Sequence, residues 1–450
     1  MPDIASTNFH GKIESTGSIL SQISGLNEFA SIGARISLND SHGKKIPAEI
    51  VAIDRRSIQV MPFLPSTGLG TTNHATLPFP QPKGEFLHQT HTPSLRVHDS
   101  WIGRVLDPLG QPMDNRPPPQ QGNIPTRLRA DPPHATQRAR LGPRLDLGVR
   151  ALNLFATCRQ GQRLGLFAGS GVGKSTLIAM LARQARCDVA VIALVGERGR
   201  EVREFIEDDL GEAGLARAVL VIATSDQTPM MRREAAYTAT TIAEHFRDQG
   251  ANVLLMMDSV TRFCHALREI GLSLGEPPAT RGYPPSVFAE LPRLLERAGP
   301  GPVINGRAGQ ITGLYTVLVE GDDHNEPVSD AVRGILDGHV VLDRKIGEAG
   351  RYPAIDVLRS LSRTVPGCLS DTEHSLVREA RALLSLQADM ADLVRLGAYR
   401  PGTDPRVDQA LRLSPSIEAL LRQTKTEPSQ IDEDFARLHT VLTAGPADAR

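Results

Sequence analysis

Residues Ala168 to Thr176 read AGSGVGKST, and their flanks decide what the segment is. Arg163 to Phe167 (RLGLF) is an apolar run of strand length, while Thr176 to Ala185 (TLIAMLARQA) sets apolar residues at helical spacing among strong helix formers. A glycine-rich loop between a strand and a helix turns successive backbone N–H groups inward at the positive end of the helix, which makes a phosphate cradle. Gly169, Gly171 and Gly173 supply the backbone freedom, with Ser170 and Val172 between them. A turn with no ligand has no need of Lys174 and Ser175 after the last glycine. Lys174 suits the outer phosphates, the Ser175 hydroxyl suits magnesium, and Thr176 continues into the helix. Ala168 stands where the pattern usually begins with glycine, and a methyl group is tolerable there.

Working outward, the chain alternates apolar strand-like runs with helix-length amphipathic stretches from Leu145 onward. Val189 to Val195, Ala218 to Ala223, Val253 to Met257 and Thr316 to Val319 are the strands of a predicted parallel sheet covered by helices. Ahead of it, Phe9 to Leu95 holds short alternating segments such as Ala34 to Leu38 and Glu49 to Val60, broken by Gly, Pro and Asn, which predicts a small β-barrel or sandwich behind a short mobile tail. Beyond Pro366 strand signals vanish and SLVREARALLSLQADMADLVRLGAY and QALRLSPSIEALLRQ read as helices. The predicted divisions are 1–96, tail and barrel; 97–366, the α/β nucleotide-binding domain; and 367–450, a helical domain.

The 450 residues are 40% hydrophobic and 22% charged, the balance of a soluble globular protein, and no apolar run approaches bilayer length. The first residues lack the layout of a secretory signal, so the expected place is the cytoplasm. Cys158, Cys187, Cys264 and Cys368 are far apart and read as reduced, packed thiols. A formal net charge of −1 gives no whole-protein argument for nucleic acid. Arg127, Arg129, Arg138, Arg140, Arg144 and Arg150 form a basic stretch broken by prolines and without interleaved aromatics, which reads as a solvated connector.

Two acids complete a hydrolytic site. VLLMMDS, Val253 to Ser259, is a buried-strand pattern ending in Asp258, placed to orient a magnesium shell beside Ser175; capping of the next helix is the plainer role for such an acid. GERGREV, Gly196 to Val202, puts Glu197 at a strand's carboxyl end on the side of the phosphate loop, where a carboxylate can hold the water that attacks the terminal phosphate, and Arg198 offers charge beside it. A solvated helix start laced with ion pairs is the competing reading. In YPAIDVLRSLSR, Tyr352 can stack on a base or merely pack, and Arg363 has a sharp meaning only in a ring, where it can complete a neighbour's site.

AGSGVGKST, GERGREV, LLMMDS and PAIDVLRSLSR, in this order and spacing, resemble the catalytic subunits of rotary-type ATPases, among them the ATP synthase β subunit, the vacuolar A subunit and the ATPases of type III protein secretion. Arg262 to Gly299 and Tyr315 to Arg344 look like the secretion branch, and Ser362 to Cys368 (SRTVPGC) leans toward its flagellar export members, with the injectisome ATPases as near relatives. The resemblance implies a RecA-like P-loop core, Mg2+-dependent hydrolysis of ATP, and a homohexameric ring. Residue by residue it implies Lys174, Ser175 and Thr176 on the phosphates and metal, Asp258 as the metal-orienting acid, Glu197 as the catalytic carboxylate, Arg198 near the terminal phosphate, Arg363 supplied in trans, Tyr352 flanking adenine, and Tyr399 as the other wall of the base pocket. The glutamate at 197 argues for an active enzyme, since non-catalytic members lack it. Implied partners are a peripheral-stalk-like regulator at the N-terminal tail, a central coiled-coil stalk, a membrane export gate, and export substrates with their chaperones. The implied location is cytoplasmic, at the inner-membrane export apparatus. A nucleic-acid translocase and a non-hydrolysing scaffold are the other readings; the low aromatic content, 4%, leaves the first few stacking platforms.

Overall fold

The computed structural model describes residues 8–78, 93–169, 171–303, 306–319 and 326–443. The N-terminal tail and Ser170 lie outside the described residues. The alternating segments at the start close into a barrel of β1 (Asn8–Thr16), β2 (Ser21–Ser24), β3 (Arg35–Asn39), β4 (Lys45–Ile53), β5 (Ser57–Pro62) and β6 (His74–Pro78), in the order β1-β2-β5-β4-β3-β6. The period-2 pattern turns Ile13, Ile23, Leu38, Ile50 and Val60 into a filled interior. The barrel closes by Pro78. Ser94–Leu95 (β7), within the predicted barrel span, pairs instead with Thr126–Arg127 (β9).

Among the described residues the main sheet has nine strands. Its path is β19 (Ile355–Ser362), β18 (Gly338–Leu342), β12 (Arg163–Ala168), β17 (Gln310–Leu318), β15 (Asn252–Asp258), β13 (Val189–Glu197), β14 (Ala218–Thr224) and β8 (Val105–Leu106), with β16 (Gly299–Pro300) paired to β17. A short ladder joins β10 (Arg144–Leu145) to β11 (Cys158–Arg159). From β18 to β8 all neighbours are parallel, and their near-continuous Val, Leu, Ile and Ala runs are buried on both faces. β17 begins six residues before the predicted Thr316, because Gln310, Thr312 and Gly313 interrupt the apolar run that marks its second half. β19 alone in the path runs antiparallel to its neighbour, β18.

Helices cover the sheet: α1 (Arg150–Phe155), α2 (Lys174–Gln184), α3 (Gly199–Glu204), α4 (Gly211–Leu215), α5 (Pro229–Asp248), α6 (Val260–Ser273), α7 (Pro285–Leu295), α8 (Pro327–Ile335) and α9 (Arg344–Glu348). The C-terminal part is helical as expected, with α10 (Asp371–Arg395), opened by a Ser370/Glu373 capping box, α11 (Pro405–Leu421) and α12 (Ile431–Thr443). Its apolar faces, including Val377, Leu384, Ile417 and Phe435, join the same core as the phosphate-loop helix.

The basic stretch is not a solvated connector. Arg129 binds Glu49 of the barrel at 2.6 Å, Arg138 faces Glu296 at 3.4 Å, Arg144 binds Glu373 and Asp432 at 2.6 Å each, and Arg150, 3% exposed, is enclosed by Asp434, Glu427 and the Leu420 carbonyl. Arg129, Arg144 and Arg150 thus bolt the barrel and the C-terminal helices to the central part, while Arg138 pairs within it. Only Arg127 and Arg140 of the set are exposed. Cys158, Cys187, Cys264 and Cys368 are free thiols, Cys158 and Cys264 buried, as the spacing implied.

Candidate active site

The carboxyl ends of β12, β13 and β15 meet above the sheet, and each delivers one functional group. After β12 the loop enters α2 through Gly171 and Gly173, both at positive φ, +77° and +87°, so a side chain at either would be strained. The Tyr352 ring lies beside Gly173: a Cβ on Gly173 would stand 3.5 Å from it. α2 therefore begins at Lys174 with its first N–H groups turned to the loop, the arrangement that receives phosphate.

Lys174 Nζ donates to Asp258 Oδ1 at 2.5 Å and to Glu197 Oε1 at 3.1 Å. Asp258, 2% exposed, also accepts from Thr316 Oγ1 of β17 at 2.7 Å. The plainer role for this acid is absent here, since Ser259, not Asp258, caps α6 by accepting from the Arg262 N–H. Burial opposes charge on Lys174, but Asp258 and Glu197 outweigh it and hold its pKa above the ordinary value. Burial pushes the Asp258 carboxyl above its usual range, with Lys174 pulling the other way.

Glu197 is the last residue of β13. The bend that presents it uses Gly196 at φ +73°, against which Arg262 packs; a Cβ there would come within 3.0 Å of the Arg262 side chain. Beyond Glu197 the helix start is also laced with ion pairs, Arg198–Glu201 at 3.0 Å, Arg200–Glu204 at 2.7 Å and Arg203–Glu207 at 2.9 Å. The ion-paired helix start and a Glu197 turned to Lys174 thus occur together. Arg198, 79% exposed, is turned to Glu201.

A cavity of about 1030 Å³ opens over these groups, lined by Gly169, Gly171, Gly173, Lys174, Ser175, Thr176, Gly196, Glu197, Arg198, Glu201, Ser225, Arg262, Leu318, Val319 and Arg344. Arg262 and Arg344 are cations that the sequence reading missed. Arg262 sits three residues after the Ser259 cap, so the first turn of α6 points it back over the strand ends. Arg344 lies two residues past Leu342, whose register partner is Ala168. Tyr352 is half-exposed beside the loop. Tyr399 is not brought there: its hydroxyl donates to Asp408 Oδ1 at 2.8 Å and to the Asp404 carbonyl at 3.1 Å, in the turn between α10 and α11. Short polar residues around that turn hold the ring locally.

Arg363 follows β19. Because Leu342 pairs with Ile355 but Gly338 with Ser362, the reversed strand carries Arg363 to the amino ends of the parallel strands, where its N–H donates to the Asp337 carbonyl at 2.9 Å. The length of β12, roughly 16 Å, separates that edge from the chain's own phosphate loop.

The donor set fits magnesium. The Ser175 hydroxyl and the Asp258 carboxylate leave most of an octahedral shell to phosphate and water oxygens, and among the described residues no cluster of three or more His, Cys, Asp or Glu forms a protein cage.

Comparison with known proteins agrees with this geometry. Residues 148–362 match the nucleotide-binding domain of the ATP synthase alpha/beta family, and residues 369–440 match the C-terminal domain of the type III secretion ATPase EscN. The chain is 49% identical over 435 residues to the flagellum-specific ATP synthase of Caulobacter vibrioides, covering 96% of both chains. It is 50% identical over 342 residues to that of Salmonella typhimurium, covering 76% of this chain and 74% of the relative. Among solved structures, assembled EscN of enteropathogenic E. coli superposes with a TM-score of 0.85 at 39% identity, over 96% of this chain and 100% of that one. EscN bound to its central stalk EscO gives 0.84. With such identity along nearly its whole length, the chain belongs to the ATP synthase alpha/beta family, among its flagellum-specific members.

Proposed function

We propose that the chain hydrolyses ATP with Mg2+ at the seams of a homohexameric ring and energises flagellar protein export. The observation that carries this reading is the convergence of Glu197 and Asp258 on Lys174 at the phosphate loop. When bound, magnesium, held by Ser175 with Asp258 beside it, offsets phosphate charge.

The chain's own groups do the rest. The loop N–H groups and Lys174 hold the outer phosphates, drawing the ammonium from the two acids that keep it in waiting. Glu197 is thereby released to hold a water in line with the terminal phosphorus and take its proton. Attack is direct, with no phosphoenzyme. Charge on the transferring group is met by Lys174, by Arg198 swung from Glu201, and by Arg363 of the adjacent copy. That arginine cannot serve its own loop across the length of β12, which favours a head-to-tail ring. Tyr352 flanks the base.

The assembled state of EscN supports the ring, and its complex with EscO supports a central coiled-coil stalk as partner. A regulator at the N-terminal tail, a membrane export gate, and substrates with chaperones at the helical face complete the proposed setting, on the cytoplasmic side of the inner membrane. Among the described residues no helix is long and apolar enough to cross a membrane. The likeness to EscN favours an injectisome as the second reading. Glu197→Gln tests the chemistry: turnover falls by about three orders of magnitude or more while nucleotide binding persists. Unchanged phosphate release in that variant overturns the assignment.

A further inference from the structure

Gln423 belongs to the helical domain, two residues after α11, yet it is 3% exposed and both polar atoms of its side chain bond into the nucleotide-binding domain or its own loop. Its Oε1 accepts from the Arg150 N–H at 2.9 Å, and its Nε2 donates to the Gly148 and Glu427 carbonyls at 2.9 Å each. Its backbone N–H donates to the Tyr352 carbonyl at 2.9 Å. One residue thus ties the end of α11 to the strand-to-helix turn before α1 and to the segment that carries the ring beside Gly173.

A second contact holds the same segment. Arg351, the residue before Tyr352, lies 2.6 Å from Glu418 of α11 and donates to the Ile355 carbonyl at 2.9 Å. The Tyr352 ring is itself half-exposed and lies beside Gly173 and Gly347. Its backbone carbonyl is held by Gln423 and the residue before it by Glu418, so the helical domain grips the segment that carries the ring.

We infer that Gln423 is a positioning residue for nucleotide binding: its side chain locks the α11 end against Gly148 and Arg150, and its N–H thereby fixes Tyr352 over the base side of the phosphate loop. The ligand it acts on is the base and sugar of the bound nucleotide, not the phosphates. The inference rests on the proposed base-flanking role of Tyr352. It also gives the helical domain a mechanical line to nucleotide affinity, because any tilt of α11 moves the Tyr352 backbone.

The test uses full-length chains and reads KM for ATP, kcat, and competitive inhibition by inorganic tripolyphosphate, which fills the cradle without a base. Gln423→Leu raises KM for ATP about tenfold, changes kcat by no more than about threefold, and leaves tripolyphosphate inhibition unchanged. Tyr352→Ala raises KM similarly, and the double variant is no worse than the singles, as expected of two residues acting through one contact. Gln423→Glu, which keeps the acceptor for Arg150 but sets a carboxylate oxygen against the Gly148 and Glu427 carbonyls, raises KM for ATP at least as much as Gln423→Leu. If Tyr352→Ala raises KM but Gln423→Leu does not, the inference is wrong. If Gln423→Leu weakens tripolyphosphate and ATP in parallel, or lowers kcat alone, it is a structural residue and the inference is equally wrong. If Tyr352→Ala leaves KM unchanged, the base role of Tyr352 fails first, a distinguishable result that removes the inference with it.

Discussion

The ammonium of Lys174, at the start of the helix that follows β12, meets the carboxylate of Asp258 at the end of β15 at 2.5 Å although β12 and β15 are separated by β17, whose Thr316 also donates to that carboxylate. The contact spans the floor of the site. Phosphate and Asp258 therefore compete for one cation, and removing the acid's charge separates binding from catalysis. Asp258→Asn is expected to tighten metal-free ADP by about threefold while lowering kcat by about two orders of magnitude. Calorimetric titration in chelator, beside phosphate-release rates with magnesium, checks both halves; weaker metal-free binding contradicts the competition.

Arg363 at the far edge makes a mixing experiment decisive. Lys174→Ala and Arg363→Ala chains are each expected to be inactive alone. Mixed in equal amounts, about one seam in four pairs an intact cradle with an intact arginine, so activity recovers toward a quarter of the parent value. A titration of one variant into the other measures it. No recovery in demonstrably mixed rings excludes action in trans.

The barrel is held to the central domain through Glu49, 2% exposed, which Arg129 and Arg233 contact at 2.6 and 2.7 Å. Burial alone raises the Glu49 carboxyl, but Arg233, Arg129 and Arg35 outweigh it and hold its pKa below the ordinary 4.5. A lowered native value means the contribution is full above pH 4.5 and is lost as pH falls through the lower native value. Glu49→Gln is expected to cost about 2 kcal/mol at neutral pH, because three guanidiniums then share the charge of Glu234 alone. Melting curves against pH check the sign: the gap between parent and variant narrows below pH 4.5, and a gap that widens there refutes the account.

Gly196 joins backbone and side-chain constraints. Gly196→Ala meets the positive φ and the Arg262 side chain together, so it displaces both Arg262 and the Glu197 that follows. A loss of about 1 kcal/mol in stability and about tenfold or more in kcat is expected. Thermal unfolding and steady-state rates decide it; full activity shows that the bend tolerates the methyl group.

What the sequence made legible was local. AGSGVGKST, Glu197 and Asp258 each sit where an apolar run stops, and a run that stops in a parallel sheet stops at the ligand edge. The barrel was readable because alternation needs only one strand at a time. Val105–Leu106 escaped notice because two residues carry no period, although they form the last strand of the main sheet. Arg262 and Arg344 were invisible for a different reason: each reaches the cavity through helix direction or strand register, neither of which exists until the sheet is assembled. The six arginines from Arg127 to Arg150 misled because charge was judged without its partners, which lie up to 288 residues away, as for Arg144 and Asp432. Tyr399 was placed by likeness alone, and its neighbours Asp404 and Asp408 already offered it a local home.

The reversal of β19 gives the molecule unlike poles. One pole carries the cradle, the other an arginine on the opposite edge, and copies joined pole to pole can circle in only one sense. Such a circle has a built-in handedness, like a queue in which every member faces the back of the next. In the proposed ring each seam would therefore set unlike faces of two copies against each other, an asymmetry written into the course of a single strand.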